Sequence, residues 1–347
     1  MKKTISTILA MGMLALAVTG CGTGGTQQAA SATQESTAQA QDAVTESNDA
    51  DTEVTAGTGP AGDTQGGVTV TDMTGREITL EKPVERIVAL SAADCEVLYA
   101  IGAGDLLVGR GEYCDYPAEV TEKPSVQSGM DTNIEQIIGL EPEVLLMSTM
   151  AQSEEQVQAL EDAGIRVVVS DAQDIAGVYT AVEMIGTLCG KEENAKTVIE
   201  ETREAFAALS ENPVGDGTQT VYFEVSPLEY GLWAAGNGTF MDEIAQMIGL
   251  QNVFHDVDGW GEVSEERVIE RNPDYIVTIT MYAGEGPTPE EEIMSRAGWE
   301  SITAVQNGAI LNLQNDELSR PVPRLAEGAK MLQDFIEEYA DTLDDAA

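Results

Sequence analysis

The sequence predicts an α/β protein of two similar three-layer lobes with mostly parallel sheets, joined by a long connecting helix, with a ligand groove between the lobes. Three observations lead there. From residue 68 onward, short β-branched apolar runs alternate with segments of helical spacing, the pattern of a layered α/β sandwich. The stretch 174–210 breaks that alternation with two helical segments separated only around Gly190. One sequence pattern then occurs twice, 131 residues apart. Two look-alike lobes held by a stiff connector leave a cleft, a common place for a ligand.

The elements follow in order. Val68–Thr71 and Glu77–Leu80 flank Asp72-Met73-Thr74-Gly75, a hairpin signal. Arg86–Leu90 is a β-branched strand, and Asp94–Ile101 has helical spacing that stops at Gly102. Leu106–Val108 reads as a strand, Asn133–Leu140 as a helix, Val144–Met147 as a buried strand, Ser153–Ala163 as a helix and Val167–Val169 as a strand. These fill an N-terminal lobe, 68–173. The segment 174–210 is the connector. The C-terminal lobe, 211–347, restarts with strand Thr220–Glu224 and helices Thr239–Ile248 and Glu265–Glu270. Strand Tyr275–Ile279, helix Glu290–Ala297, strand Ile310–Leu313 and a closing helix Arg324–Tyr339 complete it.

The repeat pairs Asn133–Leu146 with Ser264–Val277. Asn133 and Ser264 both suit an N-cap. Glu135 and Glu266 both occupy the second helical position, Ile137/Val268 and Ile138/Ile269 form the buried face, and Pro142-Glu143 and Pro273-Asp274 both stop the helix before a hydrophobic strand.

The chain begins with an address. Met1-Lys2-Lys3 is a short positive stretch, and Ile5–Val18 is apolar but short for a bilayer span. Val18-Thr19-Gly20-Cys21 resembles a bacterial lipobox, so residues 1–20 read as a lipoprotein signal peptide and Cys21 as the lipidated mature N-terminus. Acyl chains on Cys21 would anchor the protein on the extracytoplasmic face of the cell membrane. Residues 21–67 then form an acidic tether without an aromatic, Lys or Arg residue, too polar to order itself.

Composition excludes several functions. Of 347 residues, 61 are acidic and 17 basic, a formal charge of −44, which leaves no clustered basic surface for nucleic acid. The single His, His255, rules out a multi-His metal site. Four Cys are too sparse for a disulfide scaffold; beyond Cys21, Cys95 and Cys189 sit in apolar helical patterns and read as buried free thiols, and Cys114 is left open. There is no G-x-S-x-G elbow and no phosphate loop, and Gly102-Ala103-Gly104 lacks the third glycine of a dinucleotide site, so catalysis is not expected.

At this point the chain resembles the substrate-binding proteins of ABC importers for iron–siderophores, haem and vitamin B12. The matching stretches are Val84–Leu90, Glu112–Pro117, the two Glu-bearing repeats, Gly259–Ser264 and Leu318–Arg324. The resemblance implies a bilobal monomer with one connecting helix, little hinge closure and cargo held between the lobes, with no resident cofactor. Its partners would be a small metal chelate, a permease and that permease's ATPase. The resemblance also implies that one Glu on each lobe, Glu135 and Glu266, docks on the permease, where two spaced carboxylates would fix orientation. Glu in a first helical turn is in any case favoured by the helix dipole.

Candidate ligand groups lie in loops after strand ends. They include Ser91, Met130, Tyr113 and Tyr116 (flanking a turn before Pro117), Trp233 near a strand end, and Trp260 in a loop after Gly259. Tyr282 is another, while Trp299 reads as core. Asp316 and Arg320 match groove positions of the vitamin B12-binding members, although they could simply pair with each other. Flat aromatic faces suit a bulky, semi-rigid guest. Arg110, Arg320 and Arg324 are the plausible groove bases, few for an anionic catecholate chelate. The expected cargo is therefore a cobalamin or other corrinoid, with an iron–siderophore next. The alternatives are a haem receptor of the same fold, for which Tyr113, Tyr116 or His255 could ligate iron, and a surface lipoprotein that binds a partner without transport. His255, between Phe254 and Asp256, is expected at the surface or in a cap.

Overall fold

The computed structural model describes residues 67–129, 132–149, 153–282, 284–313 and 317–346. The leader, Cys21, the tether up to residue 66, Met130 and Asp316 lie outside the described residues.

A hairpin of β1 (Val68–Thr71) and β2 (Glu77–Leu80) precedes the first lobe. Asp72 organises its turn by accepting from the Thr74 and Arg76 amides at 3.0 Å each, and its carboxyl is held below the usual range by these bonds against the opposing effect of burial. The lobe then runs β3 (Ile87–Ala89), α1 (Ala92–Ala100), β4 (Leu107–Gly111), β5 (Ser125–Val126), α2 (Ile134–Gly139), β6 (Val144–Met147), α3 (Glu154–Asp162) and β7 (Arg166–Val169). Its five strands are all parallel, in the order β5-β4-β3-β6-β7. The strand order reverses between β3 and β6, and the crevice beyond such a reversal is where open α/β sheets take ligands.

The connector 174–210 is two helices, α4 (Ile175–Leu188) and α5 (Glu192–Glu211), which turn at Gly190 and pack antiparallel. They touch closely because Gly186 has no side chain: a Cβ there would lie 2.4 Å from that of Ala195. α4 returns along the first lobe, where the Val84 amide donates to the Leu188 carbonyl at 2.9 Å. Both helices touch both lobes: the start of α4 packs in the second-lobe core, where the Ile175 amide donates to Glu243 at 2.8 Å, and α5 runs between the lobes. Near its start Asn194 donates to the Ile101 carbonyl at 2.9 Å, and just past its end the Asn212 carbonyl accepts from Gln333 at 2.6 Å. The connector, read from the sequence as two helical stretches about Gly190, is a helical hairpin.

The second lobe contains β8 (Thr220–Ser226), β9 (Trp233–Ala235), α6 (Phe240–Met247), β10 (Gln251–Asn252), β11 (Trp260–Glu262), α7 (Glu265–Arg271), β12 (Tyr275–Thr278), α8 (Pro289–Ser295), α9 (Thr303–Asn307), β13 (Ile310–Asn312) and α10 (Leu325–Ala346). Its sheet is mixed: β8, β12 and β13 are parallel, β9 and β11 add antiparallel pairs, and β10 pairs with β8. Trp260, expected in a loop, opens β11 opposite Ala235.

The repeat is real in the backbone. Glu141 and Asn272, 131 residues apart, are the two non-glycine residues with positive φ among the described residues, at 49° and 44°. Each lies just before the proline that ends its helix. Ile137 and Val268 are both fully buried on the core face, whereas Ile138, expected on that face, is exposed and Ile269 only half-buried. Glu143 then accepts from the Glu85 amide at 2.6 Å at the edge of β3, and Asp274 accepts from the Thr220 amide at 2.8 Å at the start of β8. One core carries the second lobe, from Phe223 and Trp299 to Leu332, and two flank the first sheet, around Leu98 and Leu145.

Candidate functional site

A cavity of about 850 Å³ lies between the two sheets. Its first-lobe wall comes from the C-terminal ends of strands: Ser91 after β3, Ser148 and Thr149 after β6, and 170–173 after β7. The facing wall has Val225 and Ser226 at the end of β8, Ile279 after β12, and Ser319 and Pro321 before α10. Trp233 and Trp260 complete that wall. Trp233 opens β9 opposite Ser226, at the C-terminal end of β8, whereas Trp260 opens β11 opposite Ala235, at the other end of β9, and still lines the cavity. Both sheets therefore direct the same end at one gap.

The aromatic pair is set in different ways. Trp233 is 40% exposed, its face available to a guest. Trp260 is half-buried, tilted against Phe240 with centroids 5.3 Å apart. Its Nε1 donates to Gln173 Oε1 at 2.7 Å, reaching from one lobe to the other. The polar lining is mostly hydroxyl and amide. Asp171 is the ionisable side chain among the described lining residues, and it accepts from the Thr149 hydroxyl at 2.5 Å. Near this wall Asp94, on α1, is fully buried with one carboxylate oxygen unpartnered. Burial raises its pKa to about 7; a hydrogen bond from Ser170 opposes this and the Asp171 charge adds to it.

Other expected ligand groups stand elsewhere. Arg320 donates to Glu96 and to Asp115, each at 2.9 Å, and toward the Tyr113 carbonyl at 3.5 Å. Arg324 also grips Glu96, at 2.9 and 3.0 Å, pairs with Glu317 at 3.1 Å, and lies over the Tyr116 ring at 4.0 Å. Burial works against the Arg324 charge, but Glu96 and Glu317 outweigh it and its pKa is raised. Tyr116 and Arg324 line a separate cavity of about 640 Å³ with α1 and α5. Tyr113, beyond β4, is 71% exposed. Tyr282 donates to the Gly286 carbonyl at 3.1 Å. Tyr113, Tyr116, Tyr282 and Arg320 are thus outside the described lining of the larger cavity, because an ion-pair latch between the lobes takes up this edge. Arg110 turns to the Gly111 and Glu112 carbonyls at 3.1 and 3.2 Å. His255 pairs with the buried Asp242 at 3.0 Å and is not among the described lining residues of the cavity. Trp299 is fully buried core.

Glu135 and Glu266 are exposed in the first turns of α2 and α7, whose N-caps Asn133 and Ser264 accept from the Gln136 and Arg267 amides. Hydrogen bonds from its own backbone and from Ser264 hold the Glu266 carboxyl below its ordinary range.

The sequence reading passed over Ser148, Thr149, Ser170, Asp171, Gln173 and Glu96. The first five follow β6 and β7 closely, so strand ends alone mark them, although small polar side chains carry a weaker signal than aromatic or charged ones. Glu96 carried no signal, since a Glu on an amphipathic helix ordinarily faces water.

A periplasmic binding protein family model matches residues 87–317. The ABC transporter substrate-binding lipoprotein YvrC of Bacillus subtilis is 33% identical over 281 residues, 79% of this chain and 86% of that protein. A vitamin B12-binding protein of Salmonella choleraesuis is 27% identical over 250 residues, 71% of this chain and 88% of its own. A crystal structure of a possible iron-binding (periplasmic solute-binding) protein from Staphylococcus epidermidis superposes with a TM-score of 0.62 at 33% identity, covering 74% of this chain and 99% of that one.

Proposed function

Since the chain belongs to the periplasmic binding protein family, we propose that it is the extracytoplasmic solute receptor of an ABC importer, anchored through Cys21, and that its cargo is a corrinoid such as cobalamin. The composition of the interlobe cavity carries this reading. Two tryptophans offer flat apolar surface, and five serines, Thr149 and Gln173 offer neutral hydrogen bonds. A corrin ring edged with carboxamides needs both.

Charge argues in the same direction. Trianionic catecholate chelates and the propionates of haem call for Arg or Lys, and the described lining supplies a carboxylate instead. Arg320 and Arg324 are already engaged by Glu96, so freeing them for an anion would break the interlobe latch. Haem iron further calls for a Tyr, His, Cys or Met ligand. The described lining has none of these, and His255 is held on Asp242.

The receptor does no chemistry on its cargo. It encloses the guest between two rigid walls, and its two exposed carboxylates, Glu135 and Glu266, present the loaded form to the permease. The similarity to YvrC and to a vitamin B12-binding protein supports this assignment of role.

The test is a titration of intrinsic tryptophan fluorescence with cobalamin, haemin and ferric siderophores. Saturable quenching by cobalamin that needs roughly tenfold to a hundredfold more ligand in a Trp233→Ala chain is the expected result. Saturation by haemin or a siderophore, with cobalamin inert, overturns the corrinoid assignment. Silence across the whole panel overturns the receptor reading.

A further inference from the structure

Cys95 and Cys114 are far apart on the fold diagram, one in α1 and one in the turn after β4, yet their side chains meet. Cys95 Sγ is 3.8 Å from the Ala89 carbonyl oxygen. Cys114 Sγ is 4.0 Å from that same oxygen and 3.8 Å from the Leu90 carbonyl. Both residues are fully buried. The approach is built into the backbone. Gly111 crowds the end of β3, where a Cβ would lie 2.2 Å from the Leu90 carbonyl oxygen, and the Cys114 amide closes a turn onto the Gly111 carbonyl at 3.1 Å.

We propose that Cys95 and Cys114 are joined by a disulfide in the mature protein, and that this bridge fixes the first-lobe half of the interlobe latch. The neighbours of the two cysteines give the second argument. Glu96 follows Cys95, Asp115 follows Cys114, and both carboxylates receive Arg320 from the other lobe. A bond between the sulfurs sets the spacing of those carboxylates by covalent geometry, where otherwise a helix and a turn must hold it by packing alone. Cys189 is a different case. It caps α4, and burial, offset in part by Lys191, pushes its thiol to about 12. It remains the free thiol of the three.

The bridge forms before the core closes. In the folded chain the hydrogen bond with the Cys114 thiol, followed by burial, pushes the Cys95 thiol well above its ordinary range, so the reactive thiolate is scarce. During folding, one thiolate attacks the sulfur of an oxidised protein or small-molecule disulfide and expels a thiolate from it, giving a mixed disulfide. The second cysteine thiolate then attacks the first cysteine's sulfur and expels the donor's remaining thiolate. The pair loses two protons and two electrons, and the donor disulfide becomes two thiols. The inference rests on the extracytoplasmic reading only for the supply of such a donor in the cell.

The experiment uses the full chain with Cys21→Ala, unfolded and reduced, then refolded in a mixture of glutathione and glutathione disulfide. It is alkylated in denaturant without reductant and mapped by peptide mass spectrometry. A Cys95–Cys114 linked peptide with alkylated Cys189 is the expected result, unchanged in a Cys189→Ala chain. Alkylation of all three, or a bridge that uses Cys189, overturns the pairing. Thermal unfolding of the oxidised and reduced chains then tests the latch: the oxidised form melts ~5 °C higher, with slower amide exchange over 112–117. Coincident melting and exchange overturn the role given to the bridge. Neither measurement reads ligand binding, so failure here leaves the receptor assignment standing, and a silent ligand titration leaves the bridge standing.

Discussion

Arg320 of the second lobe donates to Glu96 of the first at 2.9 Å, with 13% of the arginine side chain and 4% of the glutamate side chain exposed. Arg324 joins the same carboxylate, so one buried Glu balances two guanidinium groups across the gap. Glu96→Ala takes from both nearly buried cations the carboxylate that they share. The expected loss is about 3 kcal/mol of unfolding free energy, read by urea denaturation. A loss under about 0.5 kcal/mol would mean the contact is a solvated surface pair.

Trp233 and Trp260 line one wall but are held differently, and their substitutions separate. Trp233→Ala removes an exposed ring and should weaken corrinoid binding roughly tenfold to a hundredfold while leaving the melting temperature unchanged. Trp260→Ala also removes the contact with Phe240 and the bond to Gln173, so affinity and stability should fall together. Calorimetric titration beside a thermal scan checks both.

Asp94 gives stability a pH dependence of definite sign. Its folded pKa of about 7 lies above the ordinary carboxylate value, so the folded state holds its proton over a range in which the unfolded state has lost it. This contribution is fully present below about pH 4 and is lost as pH rises toward 7. An Asp94→Asn chain should therefore gain on the parent between pH 5 and pH 8, by up to a few kcal/mol. Parallel stability curves for the two chains over that range would show that Asp94 does not titrate there.

Glu135→Lys with Glu266→Lys tests the docking role. Both side chains are exposed and stand outside the described cavity lining, so corrinoid affinity should not change. Uptake in cells, or ATPase stimulation in reconstituted importer, should fall at least tenfold. Full transport by the doubly reversed chain would remove these residues from the docking surface.

The sequence alone determined the repeat, because helix caps, stop prolines and buried-face positions are local properties that recur in the same order. It therefore also determined the α/β class and most strand positions, and it marked Trp299 as core. Even the left-handed turns at Glu141 and Asn272 fall at matching places in the two copies. What it could not determine was which polar groups would find each other. Glu96 and Arg320 are 224 residues apart, and their pairing exists only once the two lobes are packed together. That pairing took Arg320 from the ligand groups, while strand ends put Ser148, Ser170 and Gln173 among them. The turn at Gly190 that folds the connector into a hairpin was likewise a tertiary decision, made by the close fit of Gly186 against Ala195. Local spacing fixes what each segment can become; long-range burial and charge pairing decide which side chains remain free to meet a ligand.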